Sequence, residues 1–239
     1  MSDPFAEAIH DCHFDEMDGP LLYRNGEETR EAGVEAVYLD EWEPEGAAGD
    51  WFESWLDGPL LDMGAGGGRH ALYFQEQFET VAIDHSASLV EVMRDRGVRD
   101  ARVGDMFALR ESFDRDRFRS ALAVGTQLSL ARSEAGVREF LADLAYVTTP
   151  DATAVLDCFD PEHDRTREML DFYEDATPGR AYRVLQFEYA GSLGEPWLYR
   201  LFTPGQLREL TVGTDWRVAD VRRGAGEWDH NVNLALEKR

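Results

Sequence analysis

The stretch Leu60-Leu61-Asp62-Met63-Gly64-Ala65-Gly66-Gly67-Gly68 constrains this chain more than any other. A short apolar run ends in an acid, four glycines fall within five positions, and a helix-forming segment follows. Glycine lets the backbone turn sharply and lets a ligand approach it with no Cβ in the way. A loop of that kind between a strand and a helix belongs to an α/β sheet that binds its ligand at the strands' carboxyl ends. A dinucleotide fingerprint, Gly-x-Gly-x-x-Gly, would place its third glycine at position 69, where Arg69 stands. A nicotinamide-dependent oxidoreductase is therefore the weaker reading of the loop.

The rest of the chain fits that frame. Apolar runs at 59–63, 80–83, 101–103, 118–124 and 152–156 predict strands, with helical segments between them. Ser86 is placed to cap a helix that runs through Arg96 and is closed by Gly97. Val137, Phe140, Leu141, Leu144 and Val147 recur at helical spacing after Ser133. Such alternation calls for a parallel sheet with helices on both faces. Past residue 176 the pattern changes. Runs at 180–189 and 196–202, separated by Ala190-Gly191-Ser192-Leu193-Gly194, predict a hairpin insertion at about 178–202. Thr203-Pro204-Gly205-Gln206 has the form of a capping box. Two last strands, near 217–222 and 231–237, are what an antiparallel seventh strand inserted in a parallel sheet requires. Residues 1–57, acidic and aromatic-rich, are expected to form a mostly helical cap anchored by Tyr38, Trp42 and Trp55, with residues 58–239 as the main domain.

Two more acids follow Asp62 in register. Asp84 ends the second strand and Asp105 follows the third, at separations of 22 and 21 residues, about one βα unit each. All three acids reach the carboxyl edge of the sheet. Glycine loop, acid after strand two and Gly104-Asp105-Met106 after strand three together resemble the motifs of class I S-adenosylmethionine-dependent methyltransferases. The resemblance covers roughly residues 58–160. It implies a Rossmann-like three-layer α/β sandwich with a mostly parallel seven-stranded sheet, and S-adenosyl-L-methionine as cofactor. It implies that Gly64, Ala65 and Gly66 face the methionine and ribose, with Asp62 near the amino group. Asp84 would accept from the ribose hydroxyls, Asp105 would take the adenine amino group, and Met106 would pack on the ring. Thr126 and Gln127 would border the methyl group. His85 would line the adenine pocket or be an ordinary loop residue, and Arg69 would meet the cofactor carboxylate or face solvent.

The chain of 239 residues carries 48 acidic and 24 basic side chains, net −24, and Lys238 is its only lysine. The acids are spread along its length, as expected of a surface adapted to concentrated salt, and the composition resembles that of haloarchaeal proteins. No Lys/Arg cluster offers a track for phosphates, so nucleic acid is not an expected partner. No apolar run is long enough to span a bilayer, and the acidic N-terminus lacks the form of a secretory signal, so a cytoplasmic protein is expected. Cys12 and Cys158 are too few for a disulfide framework. His10-Asp11-Cys12-His13 matches no closed zinc site, and no metal is expected.

The end of strand four, Val124-Gly125-Thr126-Gln127, lacks the Asn/Asp-Pro-Pro-aromatic element of enzymes that methylate nucleic-acid amino groups. A small-molecule methyl acceptor is the expected partner, roofed by the hairpin and the N-terminal segment. Tyr23, Asp160, His163 and His230 are the residues placed to serve as a base if one is needed. A non-catalytic binder of the cofactor would carry the same motifs.

Overall fold

The computed structural model describes residues 3–224 and 229–239. The N-terminal part contains α1 (Pro4–His13), β1 (Leu22–Asn25), β2 (Glu28–Glu31), a π-helical turn (Glu35–Leu39) and α2 (Gly46–Trp55). Then come β3 (Leu60–Met63), α3 (Arg69–Phe74), β4 (Thr80–Asp84), α4 (Ala87–Asp95) and β5 (Ala101–Val103). After a 3₁₀ turn (Met106–Ala108) follow α5 (Leu109–Ser112), β6 (Phe118–Ala123), a second 3₁₀ turn (Gln127–Ala131), α6 (Glu134–Val147) and β7 (Thr148–Phe159). The remainder is α7 (Asp164–Met169), β8 (Tyr173–Glu174), β9 (Arg180–Tyr189), β10 (Ser192–Leu193), β11 (Trp197–Phe202), α8 (Pro204–Thr211), β12 (Trp216–Arg223) and β13 (Asn231–Lys238).

The main sheet has the order β12-β13-β7-β6-β3-β4-β5. Strands β3 to β7 pair in parallel, and β13 lies antiparallel between β7 and β12. This is the expected seven-stranded arrangement. Strand β3 is buried along its whole length, as a central strand covered on both faces must be. On one side Leu61, Phe140, Leu144, Leu156 and Trp216 form the largest apolar core, with the Trp216 indole N–H donating to the Leu141 carbonyl at 2.9 Å. On the other, Ala82, Val90 and Met93 pack under α3 and α4, while Leu60, Phe74 and Val155 pack with Trp42 and Trp51. The caps fall where the sequence places them: Ser86, Ser133 and Thr203 accept from the first turns of α4, α6 and α8.

The N-terminal segment departs from expectation. Residues 22–31 form a hairpin rather than helix, and β1 pairs antiparallel with β9. The predicted insertion is correspondingly larger than a hairpin: β1, β2 and β8 to β11 make a separate six-stranded antiparallel sheet. Helix α1 joins this sheet to the main domain, because Ala6, Ile9, Phe187 and Tyr189 share one apolar cluster with Leu89 of α4.

Candidate cofactor and acceptor site

Parallel pairing of β3, β4 and β6 brings the glycine loop, Asp84 and the turn after β6 to one edge of the sheet. The loop residues Gly64, Gly66 and Gly68 all have positive φ (62°, 56° and 80°), a conformation costly for residues with a Cβ. A Cβ on Gly64 would lie 2.4 Å from Oε1 of Gln127, whereas one on Gly66 would meet nothing within 4 Å. The loop is thus closed toward Gln127 and open above Gly66.

Asp62 is buried at the end of β3, and its Oδ2 has no hydrogen-bond partner. Burial pushes its carboxyl up to about 7, opposed in part by the Ala71 backbone and aided by the Asp84 charge. Asp84 is also buried, and accepts from the Gly66 N–H at 3.1 Å and the Ser86 N–H at 2.9 Å. His85 stands between two carboxylates, 3.5 Å from Asp3 and 3.4 Å from Asp84, and these pairings raise it to about 10. It links the cap of α1 to the sheet edge. Asp105 accepts from the Phe107 N–H at 2.8 Å and caps the turn in which Met106 is buried.

Arg69 goes to neither of its expected places. Its guanidinium donates to the Val37 carbonyl at 2.7 Å, while Arg96 donates to the carbonyls of Leu39 and Gly67. The two arginines clamp the π-helical turn onto the glycine loop. The fit is close, since a Cβ on Gly67 would stand 2.5 Å from the Tyr38 carbonyl. Of the expected anchors, Trp42 packs on His70, Tyr73 and Phe74 of α3, and Tyr38 packs against the cluster that joins α1 and the second sheet to α4.

Asp157, near the end of β7, has a role that the sequence reading missed. Its buried carboxyl accepts from the backbone N–H groups of Gly125 at 3.1 Å and Thr126 at 2.6 Å, and from the Asn231 side chain at 2.9 Å. Thr126 is held at φ 62°, a strained region for a β-branched residue, beside the loop glycines. The signal was present: Ala154-Val155-Leu156-Asp157 repeats the apolar-run-then-acid pattern that marks Asp62 and Asp84.

The remaining candidates are engaged locally. Asp160 pairs with Arg223, His163 caps α7, and the His230 ring stacks on Phe159 at 5.0 Å between centroids. Asp160, His163 and Arg223 line a cavity of about 370 Å³ beyond the end of β7. His10 and His13 pair with Asp11 and Asp95, and no group of metal-ligating side chains occurs among the described residues.

No family model matches this sequence, and no curated protein matches it either. Solved structures do. An S-adenosylmethionine-dependent methyltransferase from Bacteroides fragilis, in complex with S-adenosyl-L-homocysteine, superposes with a TM-score of 0.78 at 23% identity, over 99% of this chain and 94% of that one. The fold is that of S-adenosylmethionine-dependent methyltransferases. A 1,6-didemethyltoxoflavin-N1-methyltransferase from Burkholderia thailandensis gives a TM-score of 0.51 at 22% identity, over 75% of this chain and 70% of that one. An amino pentose methyltransferase from Micromonospora echinaspora gives 0.54 at 16%, over 75% and 83%. Among the described residues no helix is long and apolar enough to cross a membrane.

The two raised carboxyls set a pH dependence. Asp62 at about 7 and Asp157 at about 6 hold protons in the folded chain that they release when unfolded, where a carboxyl titrates near roughly 3.9. Over about pH 4–7 the folded state binds more protons, so stability falls as pH rises. Above about 7 the carboxyls add nothing further, while His85, raised to about 10, keeps a proton that the unfolded chain releases near roughly 6.5 and prolongs a shallower fall. Urea midpoints in molar KCl are expected to be higher at pH 5 than at pH 7.5, with a flatter profile in Asp62→Asn. Equal slopes for the two proteins would show that Asp62 ionises normally.

Proposed function

We propose that this chain transfers a methyl group from S-adenosylmethionine to a small-molecule acceptor. The observation that carries the reading is the buried, unpartnered Oδ2 of Asp62 beside an open glycine loop. A buried carboxylate oxygen left unpaired is costly, and the cofactor's ammonium group would satisfy it. Asp84 would hold the ribose hydroxyls, and Asp105 and Met106 the adenine. Gly64, Ala65 and Gly66 would line the methionine and ribose, His85 would close the adenine end, and Thr126 would border the methyl group.

Held by these residues, the cofactor would supply an electrophilic methyl group on a sulfonium, for displacement by an acceptor lone pair with a neutral thioether as the leaving group. Such a displacement needs alignment and exclusion of water more than a dedicated base. The clamp made by Arg69 and Arg96 and the Asp157-held turn at Thr126 would supply that alignment. Small-molecule acceptors are named for the Burkholderia and Micromonospora proteins, and the second sheet gives this chain a roof of the kind a small acceptor needs.

Thermal unfolding with S-adenosylhomocysteine at about 100 times its dissociation constant tests the reading, with NADH as control. Saturation to that level adds about 2.7 kcal/mol, a rise of about 5–10 °C for a chain of this size. A shift with NADH alone would favour an oxidoreductase, and no shift with S-adenosylhomocysteine would end the proposal. A shift without turnover on any acceptor would favour a non-catalytic binder. Melts of the unliganded chain in dilute buffer and molar KCl test the halophilic surface. A melting temperature that does not rise with salt would count against it.

A further inference from the structure

The inner face of the second sheet holds a cation with no carboxylate at ion-pair distance among the described residues. In β9, Ala181, Arg183, Leu185, Phe187 and Tyr189 alternate onto one face, and Arg183 stands directly across from Tyr199 of β11. Arg183 is half-buried, its Nε is sealed from solvent without a hydrogen-bond partner, and no carboxylate among the described residues lies within ion-pair distance of it. Other half-buried arginines are engaged. Arg24, Arg180 and Arg200 pair with Glu188, Glu134 and Asp175, and Arg69, Arg96, Arg138 and Arg222 donate to backbone carbonyls. In a chain with two acids for every base, a lone inward-facing guanidinium is not explained by a shortage of carboxylates. Desolvation lowers its pKa from the ordinary arginine value; the neighbouring Tyr199 and Tyr23 favour the charge, Arg30 opposes it, and Asp171 supports it from beyond ion-pair distance.

Its surroundings are flat and aromatic. Trp197 stacks near Tyr199 (centroids 6.1 Å apart, planes at 29°) and meets Phe187 at 4.9 Å. The hydroxyls of Tyr23 and Tyr38 are 2.9 Å apart. Tyr38 belongs to the turn clamped on Gly67, so the tyrosines lead from the glycine loop to Arg183. The opposite face of the same strand reaches the main domain: Phe202 of β11, three residues beyond Tyr199, lies in the core with Leu128 of the turn after β6. Arg183 therefore sits on the face of the second sheet that packs toward α1 and α4, beside the tyrosines that reach the turn clamped on the glycine loop.

Resting on the methyltransferase reading above, we propose that the acceptor is a small ring-bearing acid, its anionic group bound by the Arg183 guanidinium and its ring held by Trp197 and Tyr199. Arg183 matches a carboxylate in planar, two-point geometry, and an aromatic wall strengthens the pairing by excluding water. A neutral amide of the same ring offers one carbonyl acceptor but no charge, and would leave the half-buried guanidinium without a counter-ion.

The test is turnover to S-adenosylhomocysteine on a panel of hydroxybenzoates, aminobenzoates and indole carboxylates, each beside its primary amide. Acids are expected to be methylated and the paired amides to react about 10- to 100-fold less efficiently in kcat/KM. Arg183→Gln should lower kcat/KM for the acids by a similar factor, erase the preference over amides, and leave S-adenosylhomocysteine affinity unchanged, which also reports that the variant is folded. Arg183→Lys should restore part of the preference. Amides used as well as acids, an undiminished acid preference in Arg183→Gln, or no acid turned over or bound by a wild-type protein that binds S-adenosylhomocysteine would each overturn the assignment. Absence of S-adenosylhomocysteine binding by the wild type would instead refute the methyltransferase reading itself.

Discussion

Asp84→Ala is expected to weaken S-adenosylhomocysteine binding about 100-fold. One carboxylate does two jobs at this position. Its Oδ2 accepts from Gly66 at 3.1 Å and its Oδ1 from Ser86 at 2.9 Å, so it ties the glycine loop to the start of α4. Its place at the end of β4 is also where the ribose hydroxyls of the proposed cofactor would be received. Hydrogen bonds to a charged group contribute about 1.5–3 kcal/mol, and losing the ligand's pair alone accounts for about two decades of affinity. Releasing the Gly66 N–H adds a loop that no longer starts in its binding shape. Asp84→Asn keeps an acceptor on one side and should fall between alanine and wild type. Titration calorimetry in molar KCl measures all three, and an alanine variant with wild-type affinity would remove Asp84 from the site.

What the sequence made readable follows from how local each signal is. The central strands β3 and β4 are buried on both sides, so they read as uninterrupted apolar runs, and their ends are marked by Asp62 and Asp84. Helix caps are equally local, which is why Ser86, Ser133 and Thr203 were found. The β1–β2 hairpin was missed for a different reason. Its strands, Leu22–Asn25 and Glu28–Glu31, are four residues each and half-buried or exposed, so neither shows a clean alternation. The informative residue was Gly26 at φ 60°, first in a two-residue loop, the position that hairpin turns reserve for glycine. Whether such a turn makes a strand pair depends on a partner, here β9, more than 150 residues away. Arg69 was misjudged on the same ground. Its partner Val37 lies in a segment whose docking is set by packing, which no local pattern encodes. Arg183 carries no local signal at all; only the folded chain shows that, among the described residues, no carboxylate stands at ion-pair distance from it.

The second sheet changes what the N-terminal segment is for. A helical cap would lean against the domain, whereas β1 and α1 bind the roof from both sides. Tyr189 of β9 donates to Asp11 of α1 at 2.9 Å and accepts from the Asp18 N–H at 2.8 Å. The same α1 is capped by Asp3, which pairs with His85 next to Asp84. Roof and cofactor edge are therefore joined through one short helix. The cofactor and the acceptor would meet across a junction held by side chains from residues 3–39 as much as by the sheet.

Asp157→Ala is expected to cost about 3–5 kcal/mol of stability, the largest effect of any single change at the site. Its carboxyl is the acceptor for three donors, two of them backbone N–H groups of Gly125 and Thr126. Alanine leaves the buried Thr126 N–H and the less buried Gly125 and Asn231 donors without this partner, at about 1–3 kcal/mol for each donor that water does not reach. Thr126 has further to lose. Its left-handed backbone costs about 1–3 kcal/mol and persists only while its surroundings hold it there, so the turn should relax once the carboxyl is gone. A fall of about 8–15 °C in melting temperature is the expected reading. Asp157→Asn keeps one acceptor oxygen but turns an N–H₂ toward a donor, and should lose about half as much. Turnover separates this residue from a merely structural one: at a temperature where both variants are folded, kcat should drop while S-adenosylhomocysteine affinity holds, because in the proposed site the turn would border the methyl group and not the adenosine. An alanine variant within about 1 kcal/mol of wild type would mean that the three donors find other partners, and that Thr126 is positioned by the glycine loop instead.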